Sequence, residues 1–282
     1  MSGRVAEKVV VLTGAAGGQG LAEAAWLAAE GAHVVATDVA AEAPAAPAGP
    51  GSYAYRRLDV ASEDAWRELA AWLGGEHGRV DALVNNAGVT LRDRIDSVSL
   101  EDWNRVLAVN VTGAMLGIRS LLPLMPRGAS IVNVGSVAAL TGHYAVGYTV
   151  SKWALRGLSR VASMDLGPRG IRVNTIHPGY IETPMTASAP AAFAAANLAQ
   201  IPLGRLGGAD DVAPLVGFLV SDESAYLSGA EIPVDGGLSA HGGAKAFSDA
   251  VAAGPEPTNG GGSTSQLRSE LPTHQPAKGD GE

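Results

Sequence analysis

The sequence has no cysteine among its 282 residues, which excludes a disulfide framework, a thiolate nucleophile and a Cys-ligated zinc. It also lacks an excess of basic charge: 20 Lys and Arg stand against 28 Asp and Glu, for a net charge of −8. A general nucleic-acid binder or a polybasic membrane anchor needs surplus cations, so neither partner is expected. The six histidines, at positions 33, 77, 143, 177, 241 and 274, show no metal-ligand spacing, and no metal is assigned. No uninterrupted apolar run approaches the ~18 to 20 residues that span a bilayer, so no membrane is expected. The start, from Met1 to Lys8, is polar and has no apolar segment before a cleavage site. No secretory leader is read there, and a cytoplasmic location is expected.

What is present is an ordinary core-forming composition, 46% hydrophobic. Val9 to Thr13 reads as a buried strand and Gly14 to Gly20 as a glycine-rich turn. Residues 21–30 read as an Ala-rich helix, and residues 32–37 as a second strand ending at Asp38. That is a βαβ unit, which implies a parallel sheet. Further strands are predicted over 53–58, 80–84, 129–135, 171–176 and 231–234, and helices over 63–73, 100–122, 147–166 and 212–219. The fold class is therefore α/β, a Rossmann-type doubly wound parallel sheet of about seven strands with helices on both faces. Pro44, Pro47 and Pro50 make residues 40–52 a loop or a very short helix. Residues 1–240 form one domain. The extension, 241–282, is rich in Gly, Pro and Ser towards its end, and roughly its last 35 residues are expected to be disordered. Its front part, carrying Phe247, is the piece able to pack on the body or on a neighbouring subunit.

Three sets of residues carry chemistry. Tyr148 and Lys152 lie four apart in a helical stretch, so they share a face. An ammonium there favours phenolate, and a Tyr so tuned exchanges a proton with a carbonyl or an alcohol. Thr13-Gly14-x-x-x-Gly18-x-Gly20 lies between strand and helix, where glycines let a pyrophosphate approach the backbone and the helix N-terminus. Asp38, at the end of the second strand, can accept from an adenosine ribose and repels a 2′-phosphate. No Arg or Lys lies in the glycine turn or next to Asp38 in sequence, so NAD is favoured over NADP. Gln19 either reaches the cofactor phosphates or is a surface polar residue.

With Asp59-Val60, Asn85-Asn86-Ala87-Gly88, Asn110, Ser136, Pro178-Gly179 and Asp235-Gly236-Gly237 added in order, the chain resembles the short-chain dehydrogenase/reductase family. The resemblance is to the single-domain, NAD-using type and runs from residue 5 to about residue 240. Gly147-Tyr148-Thr149, Arg156-Gly157-Leu158 and His177-Pro178-Gly179 look most like the bacterial 3α(or 20β)-hydroxysteroid dehydrogenase group. The resemblance implies that Tyr148 is the general acid/base and that Lys152 lowers its pKa and binds the nicotinamide ribose. Ser136 would bond the substrate oxygen, and Asn110 would hold a water that links Lys152 to solvent. It places Asp59 and Val60 against the adenine, and Asn86, Ala87 and Gly88 along the adenosine side. Gly179, Ile181 and Thr183 fall at the nicotinamide end.

The implied activity is hydride transfer between NAD(H) and a secondary alcohol or ketone, with a bulky apolar substrate such as a steroid or cyclic ketone. The implied assembly is a homotetramer or homodimer. Two rivals remain: an NADP-dependent β-ketoacyl-type reductase, and a non-catalytic dinucleotide-binding protein. Three departures from the family stand out: Ser136 and Tyr148 are twelve rather than thirteen apart, Gln19 replaces an aliphatic residue, and residues 40–52 replace a regular helix.

Overall fold

The computed structural model describes residues 3–254. Seven parallel strands form one sheet, in the order β3-β2-β1-β4-β5-β6-β7. They are β1 (Val9–Thr13), β2 (His33–Asp38), β3 (Ser52–Arg57), β4 (Ala82–Asn85), β5 (Ser130–Val134), β6 (Arg172–Pro178) and β7 (Glu231–Val234). The order reverses between β1 and β4, and there the carboxyl ends of the strands leave a crevice. No helix intervenes between β2 and β3, as the three prolines require. Instead Tyr55 donates its hydroxyl to the Ala40 carbonyl (2.8 Å) and pins the loop to the sheet.

Successive strand residues point to opposite faces, so β1 serves two cores. Val10 and Leu12 pack with Leu27 of α1 (Gly18–Ala29) and with Val212, Val216 and Leu219 of α8 (Ala209–Val220). A Cβ on Gly217 would lie 1.7 Å from the Trp26 ring, so only glycine lets these two helices close. Val11 faces the other way, towards Trp66, Leu69 and Leu73 of α2 (Glu63–Glu76), Leu116 and Leu121 of α4 (Gly113–Leu121), and Ala162 of α5 (Val146–Leu166). Burying each such side chain contributes about 1.5–3 kcal/mol.

One element differs from the regular helix predicted over 100–122. α3 (Leu100–Leu107) passes into α4 through a π-helical turn, Ala108–Thr112, with Asn110 at its centre. Among the described residues, the stretch Leu100–Leu124 is long and apolar enough to cross a membrane. The sequence does not show it as an uninterrupted run, because Arg105, Asn110 and Arg119 break up the apolar residues. Here Val106, Leu116 and Leu121 are buried in the protein core.

After β6 come two short helices, α6 (Pro184–Ala187) and α7 (Ala191–Gln200). The chain divides into two units, the first ending at Gly242 and the second starting at Gly243. The second is described through α9 (Ala244–Ala253), which carries exposed Phe247 and Val251. The segment predicted to be disordered lies, apart from its first residues, outside the described residues.

Candidate active site

The carboxyl edge of the sheet gathers most of the predicted residues into one cleft. Gly14, Gly18, Gln19, Gly20, Asp38, Asn86, Ala87, Gly88, Ser136, Tyr148, Lys152, Gly179, Ile181 and Thr183 all line it. Val134, Gly135, Pro184, Met185 and Thr186 line it too. Asp59 and Val60 are not in the lining. Asp59 caps its own turn by accepting from the Ala61 amide (2.9 Å). Val60 is buried, and its carbonyl accepts from the Trp66 indole (2.9 Å).

The glycine turn is shaped for a bulky anion. Gly14 and Gly18 have φ of +68° and +55°. A Cβ on Gly20 would lie 2.2 Å from the Gly14 carbonyl oxygen, so a side chain there would break the turn. Gly17 caps α1 with no side-chain hydrogen bond, which leaves donors of the first turn available. These features fit a dinucleotide pyrophosphate. Asn86 braces the turn from β4 by donating to the carbonyls of Thr13 and Gly14, each at 3.0 Å. With its amide so held, Asn86 turns its Oδ1 towards Gln19 Nε2 (3.4 Å), which also donates to Glu23 (2.9 Å). Both N–H groups of Gln19 thus turn inward, and what it offers a ligand is its carbonyl oxygen.

Asp38 accepts from the Ala16 amide (3.0 Å), which ties the end of β2 to the glycine turn. Arg57 stands opposite Asp38 in the β2–β3 register, and its side chain donates to the Val39 carbonyl (3.1 Å). Sequence separation conceals this cation: it lies nineteen residues past Asp38 and arrives only through strand pairing.

At the other end, Ser136 caps a short 3-10 turn, Val137–Ala139, and its Oγ accepts from the Ala138 amide (3.1 Å). Burial raises the Tyr148 pKa, and a hydrogen bond with Ser136 opposes the rise. Lys152 is buried. Its Nζ donates to the Val134 carbonyl (2.7 Å) and lies 5.7 Å from the centre of the Tyr148 ring. Burial pulls the Lys152 pKa down to about 8. The ammonium spends its charge on a carbonyl, and desolvation governs both groups.

Asn110 lies behind the cleft. Its side chain accepts from Val89 N (2.8 Å) and donates to Val89 O and to Ser151 Oγ (2.9 Å each). It braces the segment after Gly88 against α5, and Ser151 in turn donates to the Tyr148 carbonyl (2.7 Å).

The shortened loop before Tyr148 meets α7 and Tyr180 through aromatic rings. The centroid of Phe193, on α7, lies 5.8 Å from that of His143, 5.9 Å from Tyr144 and 5.8 Å from Tyr180. Burial pushes the His143 pKa below its ordinary value. His143 thus packs within a ring cluster with Tyr144 and Phe193 beside the cleft, though none of these rings is in the cleft lining.

A doubly wound sheet with a phosphate-shaped glycine turn, and with a Ser, Tyr and Lys gathered at its carboxyl edge, defines a dinucleotide-dependent oxidoreductase. Comparison with known proteins narrows that class. A family model described as enoyl-(acyl carrier protein) reductase matches residues 14–239. Trans-4-hydroxycyclohexanecarboxylate dehydrogenase of Sinomonas cyclohexanicum is 38% identical, covering 85% of this chain and 96% of its own. The 3-alpha-(or 20-beta)-hydroxysteroid dehydrogenase of Mycobacterium bovis is 41% identical, covering 84% and 91%. A solved short-chain dehydrogenase/reductase from Brucella melitensis superposes with a TM-score of 0.78 at 32% identity, covering 84% of this chain and 99% of that one. The chain belongs to the short-chain dehydrogenase/reductase family and is an oxidoreductase.

Proposed function

We propose that the protein is an NAD-dependent dehydrogenase that interconverts a bulky, apolar, cyclic secondary alcohol and its ketone. The observation that carries this reading is the convergence of Ser136, Tyr148 and Lys152 on one end of a cleft whose other end is the glycine turn. Nicotinamide supplies or accepts the hydride. Tyr148 gives its phenolic proton to the carbonyl oxygen, or takes it from the alcohol. The Ser136 hydroxyl holds that oxygen in place. Lys152 holds the nicotinamide ribose and restores the phenol through a water at Asn110. Asn86, Ala87 and Gly88 run along the adenosine side. Gly179, Ile181 and Thr183 close the nicotinamide end.

Two relatives whose names specify a hydroxycyclohexanecarboxylate and a steroid support a cyclic substrate, and the ring cluster of His143, Tyr144, Tyr180 and Phe193 supports its apolar character. Asp38 supports NAD, since a carboxylate there repels a 2′-phosphate. A specific observation favours the rival NADP reading: Arg57, opposite Asp38, is the kind of cation a 2′-phosphate needs. The intact set Asn110, Ser136, Tyr148 and Lys152 opposes a non-catalytic binding role. An apolar stripe on α5, with exposed Val150, Trp153, Val161 and Met164, supports a homotetramer or homodimer. A cytoplasmic location belongs to the same reading.

The test is an oxidation screen with NADH and NADPH over steroid ketones, substituted cyclohexanones, acetoacetyl thioesters and linear ketones. Turnover with NADH on the cyclic ketones is the expected result. Preference for NADPH with the thioester would replace this reading by the β-ketoacyl one.

A further inference from the structure

His177 is the second-last residue of β6 and is fully buried. Its Nδ1 lies 3.0 Å from the Ser136 carbonyl oxygen and 3.4 Å from the Ser136 amide nitrogen. A carbonyl only accepts, and a neutral imidazole carries one N–H, so the shorter contact assigns that proton to Nδ1. Burial pushes the ring's pKa below its ordinary value, which keeps it neutral. Nε2 is then a buried acceptor with no partner among the described residues. An aliphatic side chain would fill the same space without stranding a polar atom. What the imidazole adds is the bond to Ser136.

The approach is built for that bond. A Cβ on Gly135 would lie 2.7 Å from Nδ1 and 2.9 Å from Cε1, so the ring lies against bare backbone. The Ser136 carbonyl also accepts from the Ala139 amide (2.8 Å), and Ser136 Oγ accepts from the Ala138 amide (3.1 Å). The serine is held at both ends by donors, which leaves its own hydroxyl proton to serve the cleft side, where it meets Tyr148. His177 does not line the cleft, but the next two residues, Pro178 and Gly179, do.

We propose that His177 is a positioning residue of the reaction: through Nδ1–H it locks the Ser136 peptide to the end of β6, aiming the Ser136 hydroxyl at the reacting oxygen. This rests on the reading of Ser136 as the group that holds the substrate oxygen.

Three variants separate this role from simple packing. His177→Asn puts an amide nitrogen near the place of Nδ1, His177→Gln puts one near Nε2, and His177→Ala removes both. Turnover of a ketone, its KM, the NADH Kd by fluorescence and Tm are measured for each, with Ser136→Ala alongside. The expected result is a fall in kcat of about tenfold or more in the Gln and Ala variants, as small misplacements of a reacting group produce. NADH affinity is expected within about twofold of the parent, and the Asn variant is expected to recover most of the rate. Equal rates in the Asn and Gln variants would overturn the proposal, as would losses that track Tm and NADH affinity.

Nitrogen-15 NMR of the unsubstituted protein gives a second reading that needs no variant. A neutral ring protonated on Nδ1 is expected, and an Nε2–H tautomer would overturn the proposal. If Ser136→Ala keeps full turnover, the parent reading of Ser136 fails. If Ser136→Ala is inactive while the Ala and Gln variants of His177 match the parent, this proposal alone falls.

Discussion

Lys152 Nζ donates to the Val134 carbonyl at 2.7 Å, so the buried ammonium is held by the end of β5. Burial that pulls the Lys152 pKa from 10.5 to about 8 is a cost to folding. The unfolded chain binds the proton more tightly than the fold does, so the penalty is largest below pH 8 and fades as pH rises towards 10.5. Lys152→Met is expected to lose turnover by about 10² or more. Its Tm at pH 7 is expected to equal or exceed that of the parent, with the gap closing above pH 8. Thermal melts from pH 6 to 10 check this.

Tyr148 is expected to be a protonated phenol throughout the neutral range, because burial raises its pKa. Tyr148→Phe should cut turnover by about 10² or more while NADH still binds, which fluorescence titration checks. In the parent, ketone reduction should fall at high pH as the phenol ionises, and alcohol oxidation should rise.

Asp38 and Arg57 face each other across β2 and β3 and pull cofactor choice in opposite directions. Removing the carboxylate leaves the cation unopposed. Asp38→Ser is expected to lower the NADH-to-NADPH ratio of kcat/KM by about tenfold or more, the scale of one ionic contact in a partly solvated site. Arg57→Ala should move the ratio the other way. Initial rates with both cofactors check the pair.

Glu23, fully buried beneath the glycine turn, has its pKa raised from 4.5 to about 8 by desolvation, against a smaller opposing effect from Gln19. One carboxyl oxygen has no hydrogen-bond partner among the described residues. The fold binds this proton more tightly than the unfolded chain, so the stability it supports is complete below about pH 4.5 and is lost as pH rises through about 8. Glu23→Gln mimics the neutral acid. It is expected to match the parent at pH 5 and to exceed it by at least ~1 kcal/mol at pH 8, measured by urea unfolding.

Local pattern exposed most of this fold, for a physical reason. Each strand is a short apolar run with a turn signal after it, and a parallel sheet puts those turns on one edge. Gly14, Asp38, Asn86, Ser136 and Gly179 were therefore legible as one group before their distances were known. What stayed hidden depends on lateral pairing or on depth. Arg57 reaches Asp38 only through strand register. Glu23 reads as an ordinary helix carboxylate until its full burial is seen. The contact of His177 with Ser136 joins two strand ends 41 residues apart. Asp59 and Val60 carry the family pattern but are not among the residues that line the cleft. Gln19 was undecided between phosphate ligand and surface residue, and the structure shows it as a clamp between Asn86 and Glu23.

The π-helical turn at Ala108–Thr112 holds one residue more than the helix around it needs. Deleting that residue would close the wide turn into ordinary α-helix. Because the wide turn absorbs the extra residue, everything after it would keep its phase. Leu116 and Leu121 would stay in the core, and Gly117 would still face Trp66, whose ring lies 2.8 Å from where a Cβ would sit. What would go is the bulge that presents Asn110, so a deletion there is expected to read out as a loss of the site with the fold kept.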